Sequence, residues 1–393
     1  MKTIERELVG VLLKRLQGPS QPLQIVLGPR QVGKTTALEQ VSRRWKGPSH
    51  YASADLPGPP DATWIQTQWA LARHLAREHR QRTLLVLDEV QKVPRWAEVI
   101  KALVDEDRRA KSLVRAVVLG SSSLHMRRGA DESLAGRFEL HYCPHWTWPE
   151  CRRALGWSFD QWLFWGGYPG AAPLVKDLTR WQRFVSDSLI ESVLSRDVLQ
   201  MAPVLKPALL RQLFMLAMRS PAQILSYNKM LGQLQDAGNT VTLAHYLDLL
   251  SSAFLVTGLN LWSGGVLRQR ASSPKLIVWN NALITALSGL SFAEARRAKD
   301  FWGRLVENAV GAHLLNSGYV QSTFYWHEAH AEVDFLVERG RKLLAIEVKS
   351  GRKPDSKSLA HFRRKHPGVQ ALIVGSGGLS LEQFFSSVPE AFF

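Results

Sequence analysis

The sequence predicts an α/β protein that begins with a parallel sheet covered by helices on both faces and ends with a second α/β region. Two observations predict this class. Short apolar runs alternate with helical stretches over residues 1–144, the pattern of parallel strands joined by crossover helices. From about residue 274 strands and helices alternate again, and the chain between is mainly helical. We therefore expect segments 1–144, 145–203, 204–268 and 269–393.

The composition is that of a folded protein with a polyanionic partner. The 393 residues are 45% hydrophobic and 21% charged, which excludes a chain that is disordered throughout. At roughly 150 residues per domain, this length predicts two or three domains. Lys and Arg number 50 against 34 Asp and Glu, and the formal net charge of +16 indicates a nucleotide, nucleic acid or acidic membrane as partner.

Targeting and cysteine patterns predict a cytoplasmic protein without a membrane span. The sequence contains no stretch of about 18 uncharged apolar residues, and its beginning is helix-like and mixed in charge. Two cysteines, Cys143 and Cys151, cannot build a disulfide framework. A reducing compartment is therefore expected.

The first segment contains five predicted strands, preceded by an amphipathic helix over residues 4–17. The strands are Gln24–Leu27, His50–Ala54, Thr83–Leu87, Ala116–Leu119 and Phe138–Cys143. We expect the second strand to lie between the first and the third.

A phosphate-binding loop follows the first strand. Residues 28–35 match GxxxxGK[ST] at every fixed position, and a helix over residues 35–44 comes next. Glycines let backbone N–H groups point inward around a phosphate, and the helix N-terminus adds partial positive charge. Lys34 would reach the β- and γ-phosphates, and Thr35 would bind Mg²⁺. The expected nucleotide contacts are Gly28, Pro29, Arg30, Gln31, Val32, Gly33, Lys34, Thr35 and Thr36.

An acidic pair at the end of a buried strand supplies the second half of this site. Four apolar residues, Leu84–Leu87, precede Asp88 and Glu89. Ligands of parallel α/β sheets bind at the carboxyl ends of the strands, so Asp88 would hold Mg²⁺ through water. Glu89 is the candidate base that orients the attacking water, and the alternative is a solvated carboxylate. ATP and Mg²⁺ are the expected cofactors.

Two further polar residues are candidates for the same site. Ser121 follows the strand Ala116–Leu119 and would touch the γ-phosphate or the water, with a plain loop as the alternative. Arg137 precedes the last strand and is a candidate arginine finger for the nucleotide of a neighbouring subunit in a homo-oligomer. The alternative is a surface arginine.

Five motifs in a fixed order resemble one family. The segments GPRQVGKTT, LLVLDEVQKVPRW, LGSSS, SLAGR and GGYPG resemble the prokaryotic AAA-type P-loop ATPases that carry a C-terminal DUF4143 region. The resemblance covers nearly the whole chain. It implies a P-loop NTPase sheet with a helical lid over residues 145–203, and Mg²⁺-dependent ATP hydrolysis.

Residues 204–268 are predicted to form a winged-helix-like segment. The helix Ser226–Ala237, the turn Gly238-Asn239 and a helix from Thr240 have helix-turn-helix spacing, and a hairpin follows. The start of the second helix, residues 240–247, contains no Lys or Arg, which is unfavourable for reading DNA bases. Packing against protein is therefore an equal alternative to DNA binding.

Two strands near the C-terminus place acids close together. A two-residue turn at Gly340-Arg341 would put Asp334 opposite Glu347, and Glu332 opposite Lys349. Opposed residues have Cβ atoms roughly 4.5–5.5 Å apart. Two carboxylates held that close repel one another unless a cation or a proton lies between them, which predicts a divalent ion. The alternating apolar residues are predicted to share one face, namely Val333, Phe335, Val337, Leu344, Ile346 and Val348.

This spacing resembles the PD-(D/E)XK nuclease-like domain. Asp334 is followed by Glu347-Val348-Lys349, and Glu307 lies in a preceding helix. By this resemblance Glu307, Asp334 and Glu347 would bind Mg²⁺, and Lys349 would stabilise charge at a scissile phosphate. The alternative is a domain that keeps the fold and cuts nothing.

The positive charge is concentrated beside these acids. Residues 339–366 contain ten Lys or Arg and two acids, which favours contact with a nucleic-acid backbone. The expected function is an ATP-dependent protein acting on DNA in genome maintenance, mobile-element control or phage defence. The alternatives are a nucleotide-dependent switch that binds a protein or DNA without cutting it, and a transcription regulator.

Overall fold

The computed structural model describes residues 4–19, 22–58, 60–120, 134–199, 204–235, 239–263, 272–351 and 357–393. The chain divides into two compact units between Cys143 and Pro144. Among the described residues, no helix combines the length and apolar character that crossing a lipid bilayer requires.

The first unit is built on a five-stranded sheet in which all paired strands are parallel. The strand order is β2-β3-β4-β1-β5. The strands are β1 (Leu23–Leu27), β2 (Ser49–Ser53), β3 (Thr83–Asp88), β4 (Val114–Gly120) and β5 (Phe138–Tyr142). Each lies within two residues of its predicted bounds, so the predicted parallel α/β sheet is confirmed.

The expected place of the second strand is wrong. β2 lies at the sheet edge beside β3, and β4 separates β1 from β3. Every residue of β1, β3 and β4 is buried, whereas no residue of β2 is. The least apolar strand takes the edge because an edge strand has a neighbour on one side only.

Helices cover both faces of this sheet. The helices α1 (Glu7–Gln17) and α2 (Lys34–Arg44) pack on the face that includes Val26 of β1. The helices α3 (Ala62–His79) and α4 (Trp96–Ala110) pack on the opposite face with Ile25. This two-sided burial explains why β1, β3 and β4 are continuous apolar runs rather than alternating ones.

The second unit begins with helices. They are α5 (Trp148–Leu155), α6 (Phe159–Trp165), α7 (Leu178–Arg183), α8 (Pro207–Arg219), α9 (Tyr227–Gln233) and α10 (Thr240–Ser252). Thr147 and Ser158 form capping boxes that fix the starts of α5 and α6. Residues 172–174 form a 3₁₀ turn, and 184–190 and 193–198 are wound as π-helix.

A two-stranded antiparallel ladder follows the three helices α8 to α10. It pairs β6 (Val256–Leu259) with β7 (Lys275–Val278), and the connection over 264–271 lies outside the described residues. Three helices and a hairpin are the elements that the sequence predicts here. β6 and β7 lie on either side of the expected segment boundary at residue 268.

The C-terminal region is a mixed four-stranded sheet of order β11-β10-β9-β8 with helices around it. Its strands are β8 (Thr323–Glu328), β9 (Ala331–Arg339), β10 (Lys342–Lys349) and β11 (Gln370–Gly375). Its helices are α11 (Asn281–Leu287), α12 (Phe292–Arg297), α13 (Lys299–Asn316), α14 (Lys357–Lys365) and α15 (Leu381–Ser386), before a 3₁₀ turn, Pro389–Phe392.

The predicted tight turn between β9 and β10 is confirmed. Arg339 pairs with Lys342 across Gly340-Arg341, and Gly340 has φ +59°, which suits glycine. The ladder ends at the pair Phe335–Ile346, one pair before the predicted Asp334–Glu347. The backbone N–H of Val348 donates instead to Oδ2 of Asp334 at 2.7 Å.

The predicted single apolar face is wrong for Val333. Leu336 pairs with Phe324, but Val333 pairs with Trp326, so β9 has one more residue than β8 between the two pairs. Because of this bulge, the side chains of Val333 and Leu336 lie in the same hydrophobic cluster, where they pack with Phe362 of α14. An alternating sequence pattern cannot predict a bulge, because the extra residue moves the side chains on one side of it to the opposite face of the sheet.

Candidate functional site

The phosphate loop lies between β1 and α2, at the carboxyl edge of the parallel sheet. A Cβ at Gly28 would lie 2.1 Å from the carbonyl oxygen of Cys143, so no larger residue fits there. Gly33, with φ +91°, adopts a left-handed conformation that other residues rarely take. Val32 is fully buried, so it offers its backbone and not its side chain to a ligand.

Lys34 is the first residue of α2 and lies within the loop. Its Nζ donates to the carbonyl oxygens of Gly28 at 2.9 Å and Pro29 at 2.7 Å, and the residue is buried. Burial lowers the pKa of Lys34, while the nearby Glu89 and Asp88 oppose that shift. The amino group is therefore held at the loop by two neutral acceptors that a phosphate can replace.

Asp88 ends β3 beside the loop, as predicted. Its Oδ2 accepts hydrogen bonds from the Thr35 hydroxyl at 2.8 Å and the Tyr51 hydroxyl at 2.9 Å. Its Oδ1 accepts the backbone N–H of Glu89 at 2.8 Å. A hydroxyl and a carboxylate in contact are hard oxygen donors of the kind that Mg²⁺ prefers, so Thr35 and Asp88 fit this ion.

Tyr51 is a residue of this site that the sequence analysis missed. It lies on β2 opposite Val86, two residues before the point where Ser53 is opposite Asp88. Its side chain reaches along the strand to the carboxylate. Partial burial and then the charge of Asp88 raise the pKa of Tyr51, so its hydroxyl stays protonated and donates. Only the strand order reveals this contact, because it places β2 beside β3.

Glu89 follows Asp88 in a left-handed backbone conformation. Its φ is +52°, which costs a non-glycine residue about 1 kcal/mol or more. Its Oε2 accepts a hydrogen bond from Nε2 of Gln91 at 2.7 Å. The carboxylate is thus oriented by a neighbour that the sequence analysis did not single out.

Three further residues of the first unit are predicted to contact the nucleotide, namely Thr36, Ser121 and Arg137. Thr36 is exposed on the first turn of α2, and Ser121 lies outside the described residues. Arg137 comes just before β5, at the amino edge of the sheet, and the phosphate loop is at the carboxyl edge. Its guanidinium binds Asp105 through Nε at 2.7 Å and Nη2 at 3.1 Å. The five-residue length of β1, roughly 15 Å, separates Arg137 from its own loop.

The second site is the acid cluster of the C-terminal region, and it contains a lysine. Nζ of Lys275, the first residue of β7, lies 2.7 Å from Oε1 of Glu307 and 2.9 Å from Oε1 of Glu332. It also lies 3.5 Å from Oδ1 of Asp334, and Lys275 is fully buried. Lys275 has no signature in the sequence, because it is more than thirty residues from every acid it contacts. Glu332 lies in this cluster and not in the predicted position opposite Lys349, since the β9–β10 ladder ends at Phe335–Ile346.

The predicted metal set is therefore only partly assembled. Carboxylate oxygens of Glu307, Glu332 and Asp334 all lie within 4.8 Å of one another, and Glu347 does not belong to this group. Nζ of Lys349 contacts Oε1 of Glu347 at 2.5 Å, so that acid has its own cation. A divalent ion is predicted in order to offset the repulsion between the acids. It is not required, because the ammonium of Lys275 already lies between the carboxylates and offsets this repulsion.

Burial and charge shift the pKa values within the cluster. Burial would lower the pKa of Lys275, but Glu307, Asp334 and Glu332 outweigh that and raise it, so the amine carries a proton. Burial and then the charge of Asp334 raise the pKa of Glu307, while Lys275 opposes this. The cluster is therefore an ammonium ion held by carboxylates.

Family comparisons agree with the motifs. Residues 20–151 match the family described as AAA domain, and residues 302–384 match Domain of unknown function (DUF4143). Residues 156–294 match Domain of unknown function (DUF8612). The chain thus carries an AAA-type ATPase domain followed by a C-terminal DUF4143 region, which confirms the predicted resemblance.

Two relatives from mycobacteria are described only as uncharacterized proteins. The chain is 27% identical over 349 residues to an uncharacterized protein of Mycobacterium bovis and to one of Mycobacterium tuberculosis. Each match covers 88% of this chain and 74% of the relative.

Similarity to solved structures is weak at the level of the whole chain, as two examples illustrate. A structure of katanin self-assembly matches with TM-score 0.29 and 17% identity, over 38% of this chain and 53% of that chain. The RuvB Holliday junction branch migration motor of Thermotoga maritima matches with TM-score 0.33 and 14% identity, over 64% and 87%. TM-scores this low do not define the activity of this chain.

Proposed function

We propose that the AAA domain binds ATP with Mg²⁺ and hydrolyses it at the phosphate loop. The observation that carries this proposal is the contact of Thr35 with Asp88, next to Lys34 in the same loop. Thr35 and Asp88 are 53 residues apart in the chain, and their contact supports the proposal because phosphoryl transfer uses a lysine, a hydroxyl and a carboxylate of this kind.

Each residue has a separate role in this proposal. Backbone N–H groups of the loop and the ammonium of Lys34 bind the phosphates, with Lys34 exchanging its carbonyl acceptors for phosphate oxygens. Thr35 and Asp88 hold Mg²⁺, which would neutralise charge on the phosphates. Glu89 orients the attacking water, and Gln91 keeps its carboxylate directed.

Two substitutions test the ATPase proposal. Lys34→Ala should abolish ATP binding or nearly so, because it removes the cation of the loop. Glu89→Gln should bind ATP normally and hydrolyse it roughly 10²- to 10⁴-fold more slowly. Phosphate release and nucleotide binding are measured on the full chain, with the exposed Lys46→Ala and Glu39→Gln as matched controls. Normal turnover by Glu89→Gln would remove Glu89 as the base.

We also propose that the C-terminal region contacts a DNA backbone. Arg341, Lys342 and Lys365 line one open cavity of about 440 Å³ together with Trp262, which supports binding of a polyanion. Replacing these three cations by Gln should reduce the slope of log affinity against log salt by roughly 2 to 3. Matched substitutions at Arg152, Arg153 and Lys176 should leave the slope unchanged. An unaltered slope in the first variant would refute this proposal.

A further inference from the structure

The acid cluster of the C-terminal region already has a cation at its centre. The two short contacts of Lys275, 2.7 Å to Glu307 and 2.9 Å to Glu332, are charge-assisted hydrogen bonds of ordinary length. Its ammonium also lies 3.5 Å from Oδ1 of Asp334 and contacts the backbone carbonyl of Asp334 at 3.3 Å. The nitrogen therefore occupies the point on which the three carboxylates converge.

A divalent ion and this ammonium exclude each other from that point. Oxygen ligands of Mg²⁺ lie at about 2.0–2.1 Å and those of Ca²⁺ at about 2.3–2.6 Å, so an ion held by the three acids would be in contact with Nζ. Two positive charges at such a distance repel strongly where little water screens them. A metal can enter only if Lys275 leaves.

The fold gives Lys275 little freedom to leave. Its backbone pairs with Leu259 of β6 on one side and forms a bridge with Ile224 on the other. Its side chain has no exposed surface, and Nζ lies 5.1 Å from the centre of the Phe335 ring. The bulge in β9 explains why Asp334 and Phe335, although adjacent, both contact this lysine.

Glu347, the third acid of the predicted metal set, does not converge on the same point as Glu307 and Asp334. The second oxygen of Asp334 accepts the N–H of Val348 at 2.7 Å. Oε1 of Glu347 is paired with Lys349, while its buried Oε2 has no hydrogen-bond partner among the described residues. The nuclease resemblance assigns three acids to a metal, but they contact two different lysines. Glu307 and Asp334 contact Lys275, and Glu347 contacts Lys349. These residues do not fit a divalent ion while Lys275 is in place.

We infer that the ammonium of Lys275, and not a divalent metal ion, is the resident cation of this cluster, and that the cluster does not cut phosphodiesters by metal-ion chemistry. The C-terminal region then serves as a binding and structural module. The lysine holds β7, α13 and β9 together through Glu307, Glu332 and Asp334.

Mn²⁺ binding to the nucleotide-free full chain tests this inference. Free Mn²⁺ is measured by electron paramagnetic resonance for wild type, Asp334→Asn, Lys275→Met and the double variant. Asp334→Asn should leave wild-type Mn²⁺ binding unchanged. Lys275→Met removes the ammonium, so it should gain an Mn²⁺ site that Asp334→Asn abolishes, together with a melting temperature that rises on adding Mn²⁺. Lys342→Met, on the surface, should gain neither.

Two results would overturn the inference. One is a wild-type Mn²⁺ site that disappears in Asp334→Asn, and the other is a folded Lys275→Met protein that gains no such site. If Lys275→Met does not fold, the comparison of wild type with Asp334→Asn still decides the question. Because no nucleotide is present, the outcome is separate from success or failure of the ATPase proposal.

Discussion

Asp88 shows how a single carboxylate joins three parts of the first unit. Its carboxylate accepts hydrogen bonds from the hydroxyls of Thr35 on α2 and Tyr51 on β2, and from the backbone N–H of Glu89. The predicted partner, Thr35, follows from the loop motif. Tyr51 does not, because a tyrosine on a half-exposed strand has no signature until the strand order is known.

The Tyr51 hydroxyl is expected to position Asp88 for Mg²⁺. Tyr51→Phe removes one hydrogen bond to the buried carboxylate of Asp88. The Mg²⁺ concentration for half-maximal ATP hydrolysis should therefore rise roughly three- to tenfold. ATPase rates measured over a Mg²⁺ titration check this. Tyr227→Phe, in the other compact unit, is the control, and an identical Mg²⁺ dependence in Tyr51→Phe would assign Tyr51 no positioning role.

The lysine in the acid cluster marks the limit of prediction at single positions. The nuclease-like resemblance groups Glu307 with Asp334, and their carboxylates do lie in one cluster. Lys275 begins an apolar strand 57 residues before Glu332, where a charged residue is ordinarily a solvated strand end. Nothing local to either position indicates that they meet.

Secondary structure elements were predictable where burial is two-sided or capping is strong. β1, β3 and β4 are apolar along their whole length and bounded by turns, so their bounds follow from the sequence. The bulge in β9 and the edge position of β2 did not follow, because each depends on a neighbouring strand rather than on the strand itself.

A buried acid locks α3 to α4 in the first unit. Asp107 accepts Nε1 of Trp69 and Nε of Arg73, each at 2.7 Å, and it is buried. Asp107→Ala leaves both donors without this acceptor, so the free energy of unfolding should fall by about 2–4 kcal/mol. Urea unfolding of the full chain measures the change.

The neighbouring acid supplies a matched control for that measurement. Glu106 also binds Arg73, at 3.0 Å, but its side chain is 57% exposed. Glu106→Ala should therefore cost under about 1 kcal/mol. Equal losses for the two substitutions would contradict the assignment of the helix lock to Asp107.

Over the whole molecule, the position of Arg137 bears on whether subunits cooperate. Arg137 lies at the opposite sheet edge from its own loop and binds Asp105, so any contact of Arg137 with ATP would be in a second copy of the chain. The Arg137→Ala variant keeps an intact phosphate loop but lacks Arg137. The Lys34→Ala variant keeps Arg137 but lacks the lysine of the loop. If subunits share a site in this way, Arg137→Ala and Lys34→Ala should each hydrolyse ATP poorly on their own.

Mixing the two variants tests this cooperation. The mixture should recover part of the wild-type rate, because the loop of one variant would receive Arg137 from the other. The rate is measured as phosphate release at increasing total protein concentration. Full activity of Arg137→Ala alone, or a mixture no faster than its parts, would contradict a shared site.

The central claim is that the loop of residues 28–35 binds a nucleoside triphosphate, and calorimetry tests it most directly. Titration of ATP and Mg²⁺ into folded wild-type protein should release or absorb heat with saturation at one site, and Lys34→Ala should give no such signal. Absence of heat from the wild type, or the same binding curve for both proteins, would contradict the account.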